Sequence, residues 1–164
     1  MIRRAKNEDL DRVTEIYQIA RNYMKGNGNP TQWGDWYPSR EIVEDDIKRK
    51  QLYVYLEDEV IHGVFVFFIG EEPTYEYIRD GAWKTNAPYG VIHRVASDGE
   101  KRGVFGQCLR FSMERMDHIR IDTHHNNHTM QHVIEKNGFE KCGTIYVEDG
   151  SPRIAYQYLA AEHT

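Results

Sequence analysis

The stretch "DTHHNNHTMQHVIEKNGF", running from Asp122 to Phe139, crowds His124, His125, His128 and His132 together. Imidazole nitrogen is the commonest metal ligand in proteins. His124, His128 and His132 fall at i, i+4 and i+8, which predicts one shared helix face. Zinc chemistry asks for more than that spacing. No Glu follows the first histidine of the His128/His132 pair, and neither Cys108 nor Cys142 is near. The expectation is solvated or hydrogen-bonded histidines and no bound metal.

A second stretch, "VIHRVASDGEKRGVFGQCL", reads as a strand, a glycine-containing turn and the opening of a helix. That arrangement makes an anion site, because the first N–H groups of a helix lack intrahelical partners and the dipole is positive there. Lys101 and Arg102 add charge. Elsewhere, "TQWGDWYPS" and "PTYEYIRDGAW" place Trp33, Trp36, Tyr37, Tyr75, Tyr77 and Trp83 in two predicted loops. Loop aromatics at this density wall a small-molecule site or hold a cation on their faces. The bland alternative is that they plug the open end of a sheet. Asp35, Glu76 and Asp80 among them suit a cationic amine.

The elements that must position these residues follow from periodicity. "MIRRA" is a short strand, and Asn7 is expected to cap a helix with Glu8 and Asp9 in its first turn. Leu10, Val13, Tyr17, Ala20 and Met24 recur at helical spacing. "KGNGNPTQWGDWYPS" breaks the pattern, and Ser39 starts a second helix with Ile42, Val43 and Ile47 inward. "QLYVYLEDEVIHGVFVFFIG" is a hairpin turning at "EDE", and "EEPTYEYIRDGAW" a helical turn or loop. A strand over "YGVIHRVASD" leads to a helix with Val104, Cys108, Leu109 and Met113 inward. "HIRIDTH" is a strand, "NHTMQHVIEKNG" a helix ended by Gly138, and a final hairpin turns at "EDGS". The order β-α-α-β-β-β-α-β-α-β-β predicts an α/β (α+β) sandwich with a mixed sheet. No G-x-x-x-x-G-K-[ST] or G-x-G-x-x-G loop suggests a nucleotide-binding fold of the doubly wound kind.

The totals narrow the function classes. A chain of 164 residues fits a single domain spanning 1–164 with a core of its own. A formal charge of −5 argues against nucleic acid as a partner. The longest apolar run, "GVFVFFIG", is too short to span a bilayer, and "MIRRAKNEDLDR" has no apolar core for a signal peptide. Cys108 and Cys142 read as small buried residues in a reducing compartment. A cytoplasmic protein without a membrane partner is expected.

The order of elements together with the "RGVFGQ" turn resembles the GNAT superfamily of acyl-CoA-dependent N-acyltransferases, over nearly the whole chain. That resemblance implies a mixed central sheet of about seven strands flanked by about four helices, with acetyl-CoA as acyl donor. The family's R/Q-x-x-G-x-G/A motif, whose backbone N–H groups bind the coenzyme A pyrophosphate, aligns with Arg102, Gly103, Val104, Phe105, Gly106 and Gln107, with Lys101 just before it. Arg102 matches, whereas Phe105 and Gln107 stand at the two glycine positions. A second signature matches in "NHTMQHVIEKNGF", with Asn127 at the family's cofactor-contacting asparagine and Met130 at its small apolar position. The family's frequent acid, a Tyr two residues before "KxGF", is replaced by Ile134.

Acyl transfer needs a neutral amine, a polarised carbonyl and a proton for the departing thiolate. By resemblance, backbone from Val95 through Ala96 to Ser97 faces pantetheine and one of its N–H groups polarises the thioester. His93, just before them, is the candidate base, because imidazole exchanges protons near neutral pH; a hydrogen-bonded core histidine is the competing reading. Arg94 either binds an acceptor carboxylate or pairs with a surface acid. Tyr146 is a candidate acid beside Tyr156, both readable as packing. The acceptor side takes Trp33, Trp36, Tyr37, Tyr75 and Trp83. The implied reaction is acetyl transfer to a primary amine of a small molecule or peptide by direct attack in a ternary complex. The alternatives are a non-catalytic acyl-CoA- or ligand-binding protein on the same fold and a histidine-rich metal binder. Exposed strand edges in the C-terminal hairpin suit a homodimer.

Overall fold

A computed structural model describes residues 1–160. Its element order is β1 (Ile2–Arg4), α1 (Leu10–Gly26), α2 (Arg40–Lys48), β2 (Leu52–Glu57), β3 (Val60–Ile69), β4 (Gly90–Ser97), α3 (Val104–Met113), β5 (His118–Thr123), α4 (His128–Lys136), β6 (Glu140–Tyr146) and β7 (Pro152–Leu159). The strands form a seven-stranded mixed sheet in the order β1-β2-β3-β4-β5-β7-β6. The predicted order of elements is the observed one. The chain divides into two compact units: Met1–Phe67 with Arg94–Cys108, and Phe68–His93 with the residues from Leu109 on.

In the first unit, β1, β2 and β3 are antiparallel. The β2–β3 hairpin turns at Asp58 and Glu59, both with positive φ (52° and 67°), as a two-residue turn matched to strand twist requires. Helix α1 buries Val13, Ile16, Tyr17 and Ala20, a stripe at helical spacing. Its entry departs from the sequence reading. Asn7–Asp9 form a 3-10 turn, and the capping group is the Asp9 carboxylate, which accepts from the Lys6 N–H at 2.7 Å. Arg3 fixes Asp9 there by two hydrogen bonds, at 2.8 and 3.1 Å. Asn7 lies inside that turn, and the Arg3 guanidinium orients the Asp9 carboxylate onto the Lys6 N–H. Ser39 caps α2 as expected, accepting from the Ile42 N–H at 3.3 Å.

Gly63 of β3 permits a close approach. A Cβ at that position would lie 2.4 Å from Cγ1 of Val104, the first residue of α3. β3 therefore presses on the start of α3 where only hydrogen fits.

In the second unit, β4 and β5 run parallel and pair only at Gly90↔Ile119 and Val91↔Arg120. β5 then pairs with β7 along its whole length, and β7 pairs with β6. A cluster of Tyr75, Val91, Ile145 and Ala155 is fully buried, with Phe68, Ile78, Trp83 and Tyr89 packed on it. The outer edge of β6 is partly covered. Arg79 and Thr144 exchange two backbone hydrogen bonds of 2.8 Å. A Cβ on Gly81 would sit 1.9 Å from the Cys142 carbonyl oxygen. That carbonyl belongs to the bulged part of β6 between Lys141 and Gly143. A second copy of the chain could add only to the rest of this edge.

Because backbone, not a flexible side chain, opposes a Cβ at residue 81, Gly81→Ala is expected to detach this strap. The expected loss is about 1–3 kcal/mol, read as a lower urea midpoint with an unchanged m-value.

Candidate functional site

His93 and Arg94 are consecutive on β4, yet their side chains enter separate clusters, each inside its own unit. His93 belongs to the second unit. Its Nε2 lies 2.5 Å from Oε1 of Glu72, and its ring is 6.0 Å from Tyr75 and 6.1 Å from Phe68. Glu72 is itself fixed. Its backbone N–H donates to the Tyr89 hydroxyl at 2.9 Å, and its other carboxylate oxygen accepts from the Thr74 N–H at 3.3 Å, at the head of the 3-10 turn Pro73–Tyr75. An Nε2–H donated to Glu72 leaves Nδ1 as the proton acceptor, the arrangement a positioned imidazole base requires. The sequence reading missed Glu72. Its one signal is the pair of acids before Pro73, which periodicity does not interpret.

Tyr75 is fully buried and donates to Oδ2 of Asp122 at 2.7 Å. Burial first, then the Asp122 charge, push its phenol well above the usual range. Tyr75 is thus a core residue beside His93, not an exposed wall. Trp83 donates its indole N–H to the Tyr75 carbonyl at 2.8 Å. The Arg120 guanidinium lies between Trp83 and Tyr89, 4.2 and 4.1 Å from the ring centroids.

Arg94 sits in the first unit with φ of +51°, a left-handed conformation inside a strand. Its guanidinium holds Asp46 of α2 through two hydrogen bonds, at 2.9 and 2.7 Å, and donates to the Tyr37 hydroxyl at 2.9 Å. The Arg94 carbonyl accepts from the Tyr17 hydroxyl at 2.8 Å. Burial opposes the charge, but Tyr37 and Asp46 more than offset it and hold the guanidinium protonated. Arg94 pairs with an acid, but that acid, Asp46, is buried and not on the surface as the sequence reading expected. Trp33 packs edge-on against Tyr17 and Tyr37, and Trp36 against Tyr37, while Trp36 itself is 67% exposed.

Val95 and Ser97 are half-buried and Ala96 is buried. Past the strand, Lys101, Arg102 and Gly103 are exposed, and Gly103 has φ of +75°. At the head of α3, Val104 and Gly106 are buried, Phe105 is half-buried and Gln107 is exposed. In the second unit, Asn127 caps α4, its side-chain oxygen accepting from the N–H of buried Met130 at 3.1 Å. Ile134 is fully buried. Tyr146 accepts from Arg79 and stacks on Tyr77 at 6.1 Å. Tyr156 is buried and donates to Glu135 at 2.7 Å, burial and that carboxylate raising its phenol.

The histidines do not share a helix face, because α4 begins only at His128. His124 lies on the segment before it, buried, and its Nδ1 accepts from the Asn126 N–H at 3.0 Å. A ring nitrogen used in that way is not offered to a metal. His125 stacks on His124 at 4.3 Å, and His125, His128 and His132 are exposed. Burial, with Arg153 and His125, lowers the His124 pKa to about 4 from 6.5. A histidine held neutral in the fold contributes stability that is complete above its unfolded pKa and lost as pH falls. The native protein should therefore lose stability relative to His124→Gln between about pH 6.5 and 4, by at most about 1.4 kcal/mol per pH unit, in urea titrations at stepped pH.

No protein-family model matches the chain, and no curated protein matches it. Solved structures do. An acetyltransferase of the GNAT family from Streptococcus agalactiae 2603 is 30% identical, with a TM-score of 0.87 over 97% of this chain and 94% of that one. A presumed acetyltransferase from Staphylococcus aureus Mu50 is 28% identical, with a TM-score of 0.69 over 97% and 98%. The yncA protein of Salmonella typhimurium, solved with its cofactor acetyl-CoA, shares the fold at 16% identity and a TM-score of 0.65, over 100% and 95%. With a seven-stranded mixed sheet and four helices among the described residues, matched almost end to end, this chain belongs to the GNAT family of acetyltransferases.

Proposed function

We propose that the protein is an N-acyltransferase, a single catalytic domain that moves an acetyl group from acetyl-CoA to a primary amine of a small molecule. The observation that carries this reading is the end-to-end similarity to the Streptococcus agalactiae acetyltransferase at 30% identity. The residues at the head of α3 fit the donor's pyrophosphate in charge and backbone. Lys101 and Arg102 are exposed there, and Gly103 takes a left-handed turn into the helix. Phe105 and Gln107 replace glycines of the family motif, but the phosphate-binding groups of such a turn are backbone N–H groups, which any residue in helical geometry presents.

Acetyl-CoA supplies the activated thioester, and the protein's own groups do the rest. Nδ1 of His93 takes a proton from the acceptor ammonium, Glu72 holding the ring by Nε2. The freed nitrogen lone pair attacks the carbonyl carbon, the C–N bond forms as the C–S bond breaks, and the second proton that the nitrogen sheds leaves to solvent. Backbone N–H within Val95–Ser97 stabilises the carbonyl oxygen as charge develops on it. The leaving thiolate takes a proton from Tyr146 or from water, since Ile134 stands where the family's acid stands. Trp33, Trp36, Tyr37 and Trp83 are the aromatic candidates for the acceptor side, with Arg94 committed to Asp46.

One feature favours the second reading, a binding protein without turnover: Ile134 is fully buried and apolar at the position of the family's proton donor. Calorimetric titration with acetyl-CoA followed by thiol release across an amine panel separates the two. Saturable binding with amine-dependent turnover supports the acyltransferase, and binding without turnover for any amine supports the other. For an active enzyme, His93→Gln should lower kcat by about 100-fold or more, and Glu72→Gln should lower it in the same direction by less, with acetyl-CoA affinity preserved in both. Tyr146→Phe should leave kcat unchanged if water protonates the thiolate.

A further inference from the structure

The turn between β4 and α3 is clamped at both ends by one short piece of β3, and the clamp has a buried carboxylate at its centre. Asp98, the first turn residue, has a side chain only 2% exposed. Its Oδ2 lies 2.7 Å from Nδ1 of His62 and accepts from the Arg12 guanidinium at 2.7 Å, while Oδ1 accepts from the Glu100 N–H at 2.9 Å. The Asp98 N–H donates to the His62 carbonyl at 3.0 Å. Arg12 also holds the Ile61 carbonyl, at 3.1 and 2.8 Å, so α1, β3 and the turn meet on one guanidinium. At the far end, Gly63 admits Val104 against its backbone. Burial works against the charged carboxylate, and Glu100, His62 and Arg12 together outweigh it, holding Asp98 below the usual carboxylate range.

His62, Asp98 and Glu100 bring ligand atoms within 4.8 Å of one another, as a metal site would. Arg12 already delivers a fixed positive charge to the Asp98 oxygen that such an ion would need. The cluster is therefore a hydrogen-bonded anchor. These contacts hold Asp98 and Glu100 in place, and Lys101, Arg102 and Gly103 follow them on the exposed side.

We infer that Asp98, gripped by Arg12 and His62, is the positioning group that sets the turn before α3 for the pyrophosphate of the acyl donor. The inference rests on the acyltransferase reading above. A turn held by charge-assisted hydrogen bonds presents its backbone N–H groups without an ordering cost at binding. A loosened turn would weaken contacts to phosphate and leave contacts to the pantetheine arm as they were.

The test compares acetyl-CoA with S-acetylpantetheine, which keeps the thioester and arm but lacks the pyrophosphate and nucleotide. Asp98→Asn and Arg12→Gln are titrated with acetyl-CoA by calorimetry and with S-acetylpantetheine by ligand-observed NMR. Acetyl-CoA should bind each variant about tenfold or more weakly, with S-acetylpantetheine within about twofold of the native value. Arg12 is partly exposed and Arg12→Gln leaves the His62–Asp98 contact intact, so it carries the test if Asp98→Asn does not fold. Unchanged acetyl-CoA affinity in a folded variant overturns the inference, as does equal weakening of both ligands, which would mean general loosening. Failure of the native protein to bind acetyl-CoA overturns the acyltransferase reading itself, and the inference falls with it.

Discussion

The bidentate pair between Arg94 and Asp46 is the contact that the first unit is built around. Removing two charges from water is costly, and a pair this deep repays the cost only when its remaining hydrogen-bonding capacity is satisfied. Tyr37 and Asp46 satisfy the guanidinium, and Tyr17 satisfies the carbonyl of the same residue. One strand residue is thereby tied to α1, to α2 and to the loop between them. The left-handed backbone at Arg94 is tolerated because these partners over-determine it. It lies in β4 immediately before the proposed carbonyl-polarising segment.

The second unit solves a similar problem with less charge. His93 and Glu72 meet near a core of Tyr75, Val91 and Ala155, and the 3-10 turn at Pro73 gives Glu72 its orientation. The cluster depends on Tyr75 being inside. Its phenol reaches Asp122 on β5, so the loop after β3 is sewn to a strand far along the chain.

Much of this architecture was legible in the sequence because it rests on periodicity. The α1 stripe, the Ser39 cap and both hairpins follow from local patterns with a direct physical cause. The entry to α1 did not follow, because Asp9 is recruited by Arg3, a contact made after the fold brings β1 and the turn together. The i, i+4, i+8 spacing of the histidines does not become one helix face, because Asn127 starts α4 after His124, and His124 is hydrogen-bonded to a backbone N–H. The candidate site was readable where it depends on backbone, at the turn before α3. Where it depends on partners distant in sequence, Glu72 for His93, Asp46 for Arg94 and Asp98 for His62, no local signal announces them.

The close approach at Gly63 has a consequence for how this sequence can drift. With Val104 Cγ1 where a Cβ would stand, positions 63 and 104 are not independent. A side chain gained at position 63 must be matched by volume surrendered at position 104. Related chains should therefore vary at these two sites as a coupled pair, with Gly opposite a branched residue or a small residue opposite Ala.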